Sequence, residues 1–546
     1  MKFEQKIKIG KTELKNRLAM SPMISNIANP DGTTNDNHIN YLSERARGGF
    51  GLIITEYTYI DQINAKGSPN ELGLFHISQV PKLSRLTDSI HKNGSKVFVQ
   101  LVHAGGKANP DLNPEVPMAP SRVSYGHFHP REMTLDDINN VVEEFIKSAK
   151  LAKQANFDGV ELHGAHAYLL SEFISPYLNK RTDRYGGSLE NRLRIINEIS
   201  SSIKDSLDIT LGIRLSLYED EQDGYNSDYG LRVGESISNI DYVHYSAGRF
   251  EPPGSSASFY SNHAHIYGKY TRKINKPVIL VGSATNINDV EKMLEMADVV
   301  SVGRGALADA YFPHSILGNL NRPCIRCNQA CRNLALSEVR CSVNPDLGYE
   351  TYIKHEKYHG NIPIKGAGIK GLEAAFYAHR LGFNVSIYEN NNVGGQMNEI
   401  YDEYKRRDFF TLIDYYKRVI DRSGIKIIQD DAPENAINCL PDKTYPDLEI
   451  KDISIDSNVF KYHDLALKIA ETNKVKMSLR SLDSLDRSRK EPYMKVAKKL
   501  GIEFIEEGGF DFSLYDGDQY DIRKAMLSGR NAIDRVLTEK FQGEFY

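Results

Sequence analysis

Short apolar runs alternate with amphipathic helical stretches from residue 18 to about residue 303. Eight of the runs read as strands: residues 18–21, 51–55, 96–101, 159–162, 210–215, 242–246, 277–281 and 299–302. Between most of them apolar positions recur at helical spacing. In residues 134–154, for example, Ile138, Val141, Val142, Phe145, Ala149 and Ala152 share one face, and Thr134, with Asp137 three residues on, marks the N-cap. Eight strand-then-helix units predict a TIM (β/α)8 barrel. A doubly wound open sheet uses the same alternation, but the count of eight and a length near the ~250 residues typical of a barrel favour closure. Beyond the barrel the pattern predicts a cysteine-rich segment and then a partial Rossmann-like α/β region.

Composition narrows the class. Lys and Arg total 68 against 72 Asp and Glu, a net charge of −4, so the basic field on which nonspecific nucleic-acid binding relies is missing. The N-terminus lacks an apolar signal core, and no run approaches the roughly 20 apolar residues that span a bilayer. A cytoplasmic protein with no nucleic-acid or membrane partner is the expectation, and a homo-oligomer is left open. Four of the five cysteines fall between Cys324 and Cys341, a clustering that reads as a metal site rather than a disulfide framework.

Chemistry gathers after the strands, where barrels place their active sites. The fourth strand runs into His163-Gly164-Ala165-His166-Ala167-Tyr168, two imidazoles three residues apart with a phenol beside them. A zinc set would need a third His or a carboxylate near by, which the sequence does not offer; a pair of structural histidines is the plain alternative. Ser21-Pro22-Met23 follow the first strand and Glu56-Tyr57 the second; Gln100 lies on the third, with His103 to Lys107 beyond it, and Arg214 lies on the fifth. Gly282-Ser283 and Gly303-Arg304 follow strands seven and eight, the two turns at which barrels hold a phosphate on bare backbone N–H groups. Asp183-Arg184-Tyr185-Gly186-Gly187 reads as a turn built on a buried ion pair.

Downstream, Cys324, Cys327 and Cys331 are spaced C-x2-C-x3-C, and Cys341 follows after nine intervening residues. All-thiolate ligation suits [4Fe–4S] or zinc, and spacing alone does not choose. Gly366, Gly368 and Gly371 then form a G-x-G-x-x-G opening a helix, with Glu389 about twenty residues on and Gly395-Gln396 after it. This is the dinucleotide fingerprint, with glycines for close approach of a pyrophosphate and an acid for a ribose hydroxyl. Pro363 and Lys365 interrupt the preceding strand, and Lys370 stands where a small residue is expected. Residues 442–500 are polar and carry no second glycine fingerprint.

Gln100-Leu101-Val102-His103-Ala104-Gly105, His163-Gly164-Ala165-His166 and Arg181-Thr182-Asp183-Arg184-Tyr185-Gly186-Gly187, together with residues 15–23 and 45–56, resemble the old yellow enzyme family. The cysteine run, with Asn328-Gln329 inside it and Val343-Asn344-Pro345 after it, resembles that family's long iron–sulfur branch. The branch includes 2,4-dienoyl-CoA reductase, 2-enoate reductase, bile-acid-pathway reductases and trimethylamine dehydrogenase. The resemblance implies a bound FMN, with Ser21, Pro22, Met23 and Tyr57 lining the isoalloxazine, Gln100 on its pyrimidine edge and Arg214 beside N1/O2. Gly282, Ser283, Gly303 and Arg304 would hold its phosphate. His163 and His166 would hydrogen-bond the carbonyl oxygen of an activated alkene while Tyr168 gives the α-carbon its proton. The resemblance also chooses [4Fe–4S] over zinc for Cys324, Cys327, Cys331 and Cys341, implies an anaerobic setting, and assigns Gly366, Gly368, Gly371, Glu389, Gly395 and Gln396 to FAD.

The expectation is therefore an FMN- and [4Fe–4S]-dependent ene-reductase of the NADH:flavin oxidoreductase type, transferring hydride to the β-carbon of an α,β-unsaturated carbonyl compound. Residues 1–320 would form the FMN barrel, 321–348 the cluster segment and 349–546 a FAD/NAD(P)-binding-like region. Because the NAD(P)H module reads as shortened or degenerate, the donor is either NAD(P)H or a separate protein such as ferredoxin, a flavodoxin or another flavoprotein. The alternatives are an amine dehydrogenase of the trimethylamine dehydrogenase type and a non-catalytic electron-transfer or scaffold flavoprotein. Substrate identity is expected in the loops 109–131 and 249–265.

Overall fold

The computed structural model describes residues 1–124, 129–219, 223–248, 271–332, 338–352, 357–485, 487–506, 508–516 and 521–542. The loop 249–265 and residues 125–128 of the loop 109–131 lie outside them. Eight parallel strands close into a barrel: β1 (Leu18–Met20), β2 (Leu52–Tyr59), β3 (Lys96–Val102), β4 (Gly159–Gly164), β5 (Thr210–Ser216), β6 (Tyr242–Ser246), β7 (Val278–Val281) and β8 (Val299–Val302). These are the eight strands expected from the sequence, and β8 pairs with β1 to complete the ring. The capping signal at Thr134 also holds. Its hydroxyl accepts from Asp137 N at 3.1 Å, and Asp137 returns a bond to Thr134 N at 2.7 Å.

Strand alternation sorts the side chains. Val97, Val99, Val160, Leu162, Leu211, Ile213, Val243 and Val300 pack outward in the large core shared with the helices. The intervening residues face the barrel axis, and they change character along it. At the bottom Ala19, Leu52, Ile54, Phe98, Tyr242, Ile279 and Val299 form an apolar plug with Ile9 and Leu14, which come from an N-terminal hairpin (Ile7–Ile9 with Thr12–Leu14). Phe98 and Tyr242 stack at 5.9 Å. Two glycines leave them room: a Cβ on Gly159 would stand 2.6 Å from the Phe98 ring, and one on Gly212 would stand 2.2 Å from the Tyr242 ring. One pleat higher the inward residues turn polar, giving Gln100, Glu161, Arg214, His244 and Ser301, and a further pleat gives His163, Ser216 and Ser246. Alternation thus delivers a dry base and a polar rim from the same strands. A register shift between Ile54 and Tyr57 marks a bulge in β2 just before Tyr57.

The Asp183 turn is organised by Arg181. This guanidinium bonds Asp183 Oδ1 at 3.1 Å and also donates to Pro120 O and Met133 O at 3.0 and 2.7 Å. Arg181 is buried, but Asp183 keeps about a third of its side chain exposed, so the expected ion pair is buried on its cationic side only. It ties three loops together and lines no cavity wall.

Two further sheets follow. The first contains β9 (Asn361–Lys365), β10 (Asn384–Tyr388), β11 (Lys426–Ile428) and β12 (Ile437–Asn438), parallel in the order β11-β10-β9-β12. Pro363 fits within β9 because β12 pairs only Ile364 and Lys365. The second contains β13 (Ile453–Ser457), β14 (Val475–Ser478), β15 (Glu503–Ile505) and β16 (Phe512–Leu514), parallel in the order β15-β14-β13-β16. Both orders are that of a mononucleotide-binding half of a doubly wound sheet. The polar residues 450–456, which carry no sequence motif, thus supply most of the inner strand of a complete sheet, held by the buried Ile453 and Ile455. The terminal helix Ile522–Gln542 returns to the first of these sheets, packing Ala525, Met526 and Ile533 into its core. Gly529 lets that helix approach so closely that a Cβ there would stand 2.3 Å from Lys370 O.

Candidate functional site

A cavity of about 480 Å³ opens at the C-terminal rim of the barrel. β1 leads to Ser21, Pro22 and Met23, β2 gives Tyr57, β4 leads to His163, His166 and Tyr168, and β5 gives Arg214; the turns after β7 and β8 give Gly282, Ser283, Gly303 and Arg304. Thus all but one of the barrel residues expected at the site share its wall. The exception is Gln100, one pleat lower. Its Nε2 donates to Glu161 Oε1 at 2.6 Å, and its Oε1 is buried without a partner.

The turn after β4 is strained. His166 and Ala167 have φ of 63° and 54°, consecutive left-handed residues with side chains, a conformation of the kind held at functional sites by surrounding structure. His166 N donates to Ser216 Oγ at 3.1 Å, its Nε2 meets Ser246 Oγ at 2.9 Å, and its carbonyl accepts from Lys107 Nζ at 2.9 Å. The His163 ring lies 5.2 Å from that of His166 and 4.9 Å from Tyr168, centroid to centroid. Burial, reinforced by the Arg214 charge, holds both histidines well below the usual imidazole range, so both are neutral at pH 7. Burial pushes the Tyr168 phenol up to about 12 although a hydrogen bond with Tyr57 opposes it. Three uncharged donors therefore converge on one wall.

The rest of the lining suits a flavin. Arg214, buried and lowered to about 10 by that burial, keeps Nε unsatisfied while Nη1 approaches Pro22 O at 3.5 Å. Ser21 Oγ and Ser301 Oγ bond at 2.7 Å. At the two glycine turns Arg304 donates to Ser283 Oγ at 2.9 Å and to Asn328 Oδ1 at 2.6 Å, and Arg326 donates to Ser283 O at 2.8 Å. A Cβ on Gly303 would reach within 3.0 Å of Met23 Sδ, which a side chain there would displace from the wall. Arg304 puts a guanidinium beside the two glycine turns, a setting that suits a phosphate, while Arg326 is paired with Asp289 and Asp408; the orphaned Gln100 and Arg214 atoms fit a polar heterocyclic edge. The residues present fit FMN.

Cys324 and Cys331 line the same cavity. Burial raises the Cys331 thiol, and burial with the neighbouring Cys324 and Cys327 pushes Cys341 up to about 12, so the four sulfurs lie within electrostatic reach of one another. Cys327 Sγ bonds Ser342 Oγ at 3.4 Å. Among the described residues, however, no group of three or more His, Cys, Asp or Glu side chains is drawn together tightly enough to hold a metal ion as it stands. The donor set suits a cluster in kind, and its sulfurs would have to close around one.

A second cavity of about 920 Å³ lies between the two C-terminal sheets, lined by Gly366, Gly368, Glu389, Gly395 and Gln396 among others. Gly371 is behind it: a Cβ there would stand 1.9 Å from Gly366 O, so this glycine serves helix-to-strand packing. Glu389 accepts from Ala367 N and Asn391 N, each at 2.8 Å, and Lys370 is turned aside into an ion pair with Asp442. The open turn and its acid fit a dinucleotide. At the matching position of the second sheet the chain bonds to itself. Buried Asp456 accepts from Arg480 Nε at 3.1 Å and Tyr515 OH at 2.5 Å, Ser457 Oγ bonds Leu514 O at 2.5 Å, and Asp516 N donates to Asn458 Oδ1 at 2.9 Å. These contacts join the ends of β13 and β16, the position of a topological switch point.

Lys107, noted after the third strand, also lines the barrel cavity, as do Ser246, Arg326 and Arg332, which were not singled out from sequence. Ser246 had one available signal: it is the last residue of the sixth strand, the rim position that on other strands carries the chemistry.

Comparison with known proteins places these features in a family. Residues 3–322 match the NADH:flavin oxidoreductase / NADH oxidase family. An NADH oxidase of Thermoanaerobacter brockii is 34% identical over 443 residues, covering 77% of this chain and 68% of the relative. A cinnamate reductase of Clostridium sporogenes is 31% identical over 467 residues, covering 77% and 70%. A solved complex of 2-naphthoyl-CoA reductase with 2-naphthoyl-CoA superposes with a TM-score of 0.85 at 25% identity, covering 92% of this chain and 87% of that one. The resemblance read from the barrel motifs is borne out. Among the described residues no helix is long and apolar enough to cross a membrane.

Proposed function

The chain belongs to the NADH:flavin oxidoreductase / NADH oxidase family, and on that premise we propose that it reduces the carbon–carbon double bond of a small α,β-unsaturated carbonyl compound. FMN, held by Ser21, Pro22, Met23, Tyr57, Arg214 and the Gly282-Ser283 and Gly303-Arg304 turns, would supply the hydride. The observation that carries the reading is the convergence of His163, His166 and Tyr168, all uncharged, on the same cavity as those residues. Two imidazole N–H groups hold a carbonyl oxygen and stabilise the negative charge that develops on it. Tyr168, protonated across the physiological range, gives the α-carbon its proton.

The sign of the cavity separates this from amine oxidation. Lys107, Arg214, Arg304 and Arg332 line it, as does Arg326, whose charge is paired with Asp289 and Asp408, and among the described residues no Asp or Glu lines it. A substrate ammonium would be repelled, whereas a neutral or anionic carbonyl compound would not.

Cys324, Cys327, Cys331 and Cys341 would hold a [4Fe–4S] cluster that relays single electrons, beside the flavin because Cys324 and Cys331 share its cavity. Gly366, Gly368, Glu389, Gly395 and Gln396 would hold FAD. The lack of a second glycine fingerprint in residues 442–500 favours a protein such as a ferredoxin, a flavodoxin or another flavoprotein as donor over NAD(P)H bound there. The working division is residues 1–320 for FMN, 321–348 for the cluster and 349–546 for the nucleotide region. The test is the double variant His163→Ala/His166→Ala: it should retain FMN yet lose at least about 100-fold in alkene reduction, the scale expected for removing oxyanion donors. Undiminished turnover would remove the reading.

A further inference from the structure

Ser246 closes β6 and is buried at the rim, where its hydroxyl oxygen stands 2.9 Å from His166 Nε2 and 3.3 Å from Arg214 Nη2. A guanidinium carries donors only, so Arg214 must give its hydrogen to the Ser246 oxygen. The hydroxyl proton of Ser246 then needs an acceptor, and among the described residues His166 Nε2 is the one within reach. A neutral imidazole has one nitrogen that donates and one that accepts. If Nε2 accepts from Ser246, the ring proton is on Nδ1.

His163 is fixed in the opposite sense. Its Nδ1 accepts from Ala165 N at 3.4 Å, which leaves its proton on Nε2. His166 Nδ1 and His163 Nε2 have no hydrogen-bond partner among the described residues, neither is an enclosed orphan atom, and both rings line the cavity.

We infer that Ser246 is a positioning residue that fixes His166 in its Nδ1–H tautomer, so that the two histidines present a matched pair of N–H donors to the cavity, and that it ties this pair to Arg214. Without the hydroxyl, His166 Nε2 loses its donor, and the ring is free to hold its proton on the nitrogen turned away from the cavity. The inference rests on the reading of His163 and His166 as the acceptor-binding pair and adds the residue that orients one of them. It does not depend on turnover.

The experiment uses the FMN-loaded full-length chain with 4-chlorophenol as probe, since a phenolate oxygen accepts hydrogen bonds and cannot be reduced. Binding is followed by the long-wavelength absorbance it induces in the oxidised flavin. Ser246→Ala is expected to weaken phenolate binding about tenfold or more, the factor for losing a hydrogen bond to a charged acceptor, with the FMN content unchanged. Ser246→Thr, which keeps the hydroxyl, should restore most of the affinity. The parent chain carrying 15N-histidine, with the His166 signals assigned by comparison with His166→Gln, gives a second readout: Nδ1 protonated and Nε2 bare. A phenolate affinity unchanged in Ser246→Ala, or a parent His166 protonated on Nε2, would overturn the inference. Failure to reduce any alkene would count against the proposed reaction and leave both readouts standing.

Discussion

The rings of His163 and Tyr168 meet edge to face, 4.9 Å between centroids at 63°, so the imidazole proposed to bind the carbonyl oxygen and the phenol proposed to donate the proton occupy one corner of the barrel rim. Tyr168 is buried, with its phenol raised to about 12. Tyr168→Phe should therefore lower the rate of alkene reduction by about 100-fold or more, the range for general acid catalysis, while phenolate affinity changes little. In the parent the rate should show no loss attributable to this phenol up to pH 10, because the group is protonated below its pKa. A descending limb near pH 8 that disappears in Tyr168→Phe would contradict the assignment.

The cysteines separate into two classes. Cys331→Ser should remove the cluster, read as lost iron and acid-labile sulfide with FMN retained, and should abolish reduction of the flavin by one-electron donors. Cys439 is buried just beyond β12, against Gly366 and Gly371 of the glycine turn, and Cys439→Ser should leave iron content unchanged. Equal iron loss in both variants would show a general failure of folding instead of loss of a ligand.

Gly371→Ala tests the first C-terminal sheet. The added Cβ would stand 1.9 Å from Gly366 O, so the helix Ile369–Arg380 would have to move off the turn that opens the second cavity. FAD content should fall to a small fraction of the parent's while FMN and iron persist. Full FAD occupancy in the variant would mean that this turn is not where the dinucleotide sits.

Asp346 anchors the terminal helix through ion pairs with Arg530 and Arg380, the latter at 3.0 Å. Those partners bring its carboxyl from 3.8 down to about 2 against the effect of burial. A depressed carboxylate contributes stability that is full above its unfolded pKa and lost as pH falls through the folded value, here worth about 2 kcal/mol at 1.36 kcal/mol per pH unit. Asp346→Asn should cost about that much in urea titrations from pH 7 to about pH 5, and less below pH 4. A cost that grows on acidification would have the wrong sign.

The barrel was legible because each strand is a short apolar run and each rim turn carries its own chemistry; Ser21, Tyr57, His163, His166, Tyr168, Arg214 and Arg304 all reach the cavity. Gln100 was legible as polar and inward, but not the single pleat that puts it below the wall. Ser246, Arg326 and Arg332 were hidden because their roles arise from convergence of distant segments, and a lone Ser or Arg has no local pattern. The sheet of β13 to β16 was missed for a related reason. Its strands are three to five residues long, and the end of β13 carries Asp456, bonded to Arg480 and Tyr515, in place of the glycines that announce a dinucleotide site. The terminal helix returns to the first sheet by way of Gly529, whose bare Cα admits Lys370 O.

The central claim is that the reduced flavin in this cavity passes hydride to an alkene activated by His163 and His166. The most direct test is to reduce the purified enzyme with dithionite under anaerobic conditions, mix it rapidly with cinnamate or a cyclic enone, and follow flavin absorbance while identifying the product. The account predicts reoxidation with one saturated product formed for every two electrons the enzyme gives up, and, in deuterated water, deuterium placed on the α-carbon by way of Tyr168. Flavin that stays reduced with every activated alkene, but is reoxidised by a protein acceptor, would contradict it and point to an electron-transfer protein built on an ene-reductase barrel.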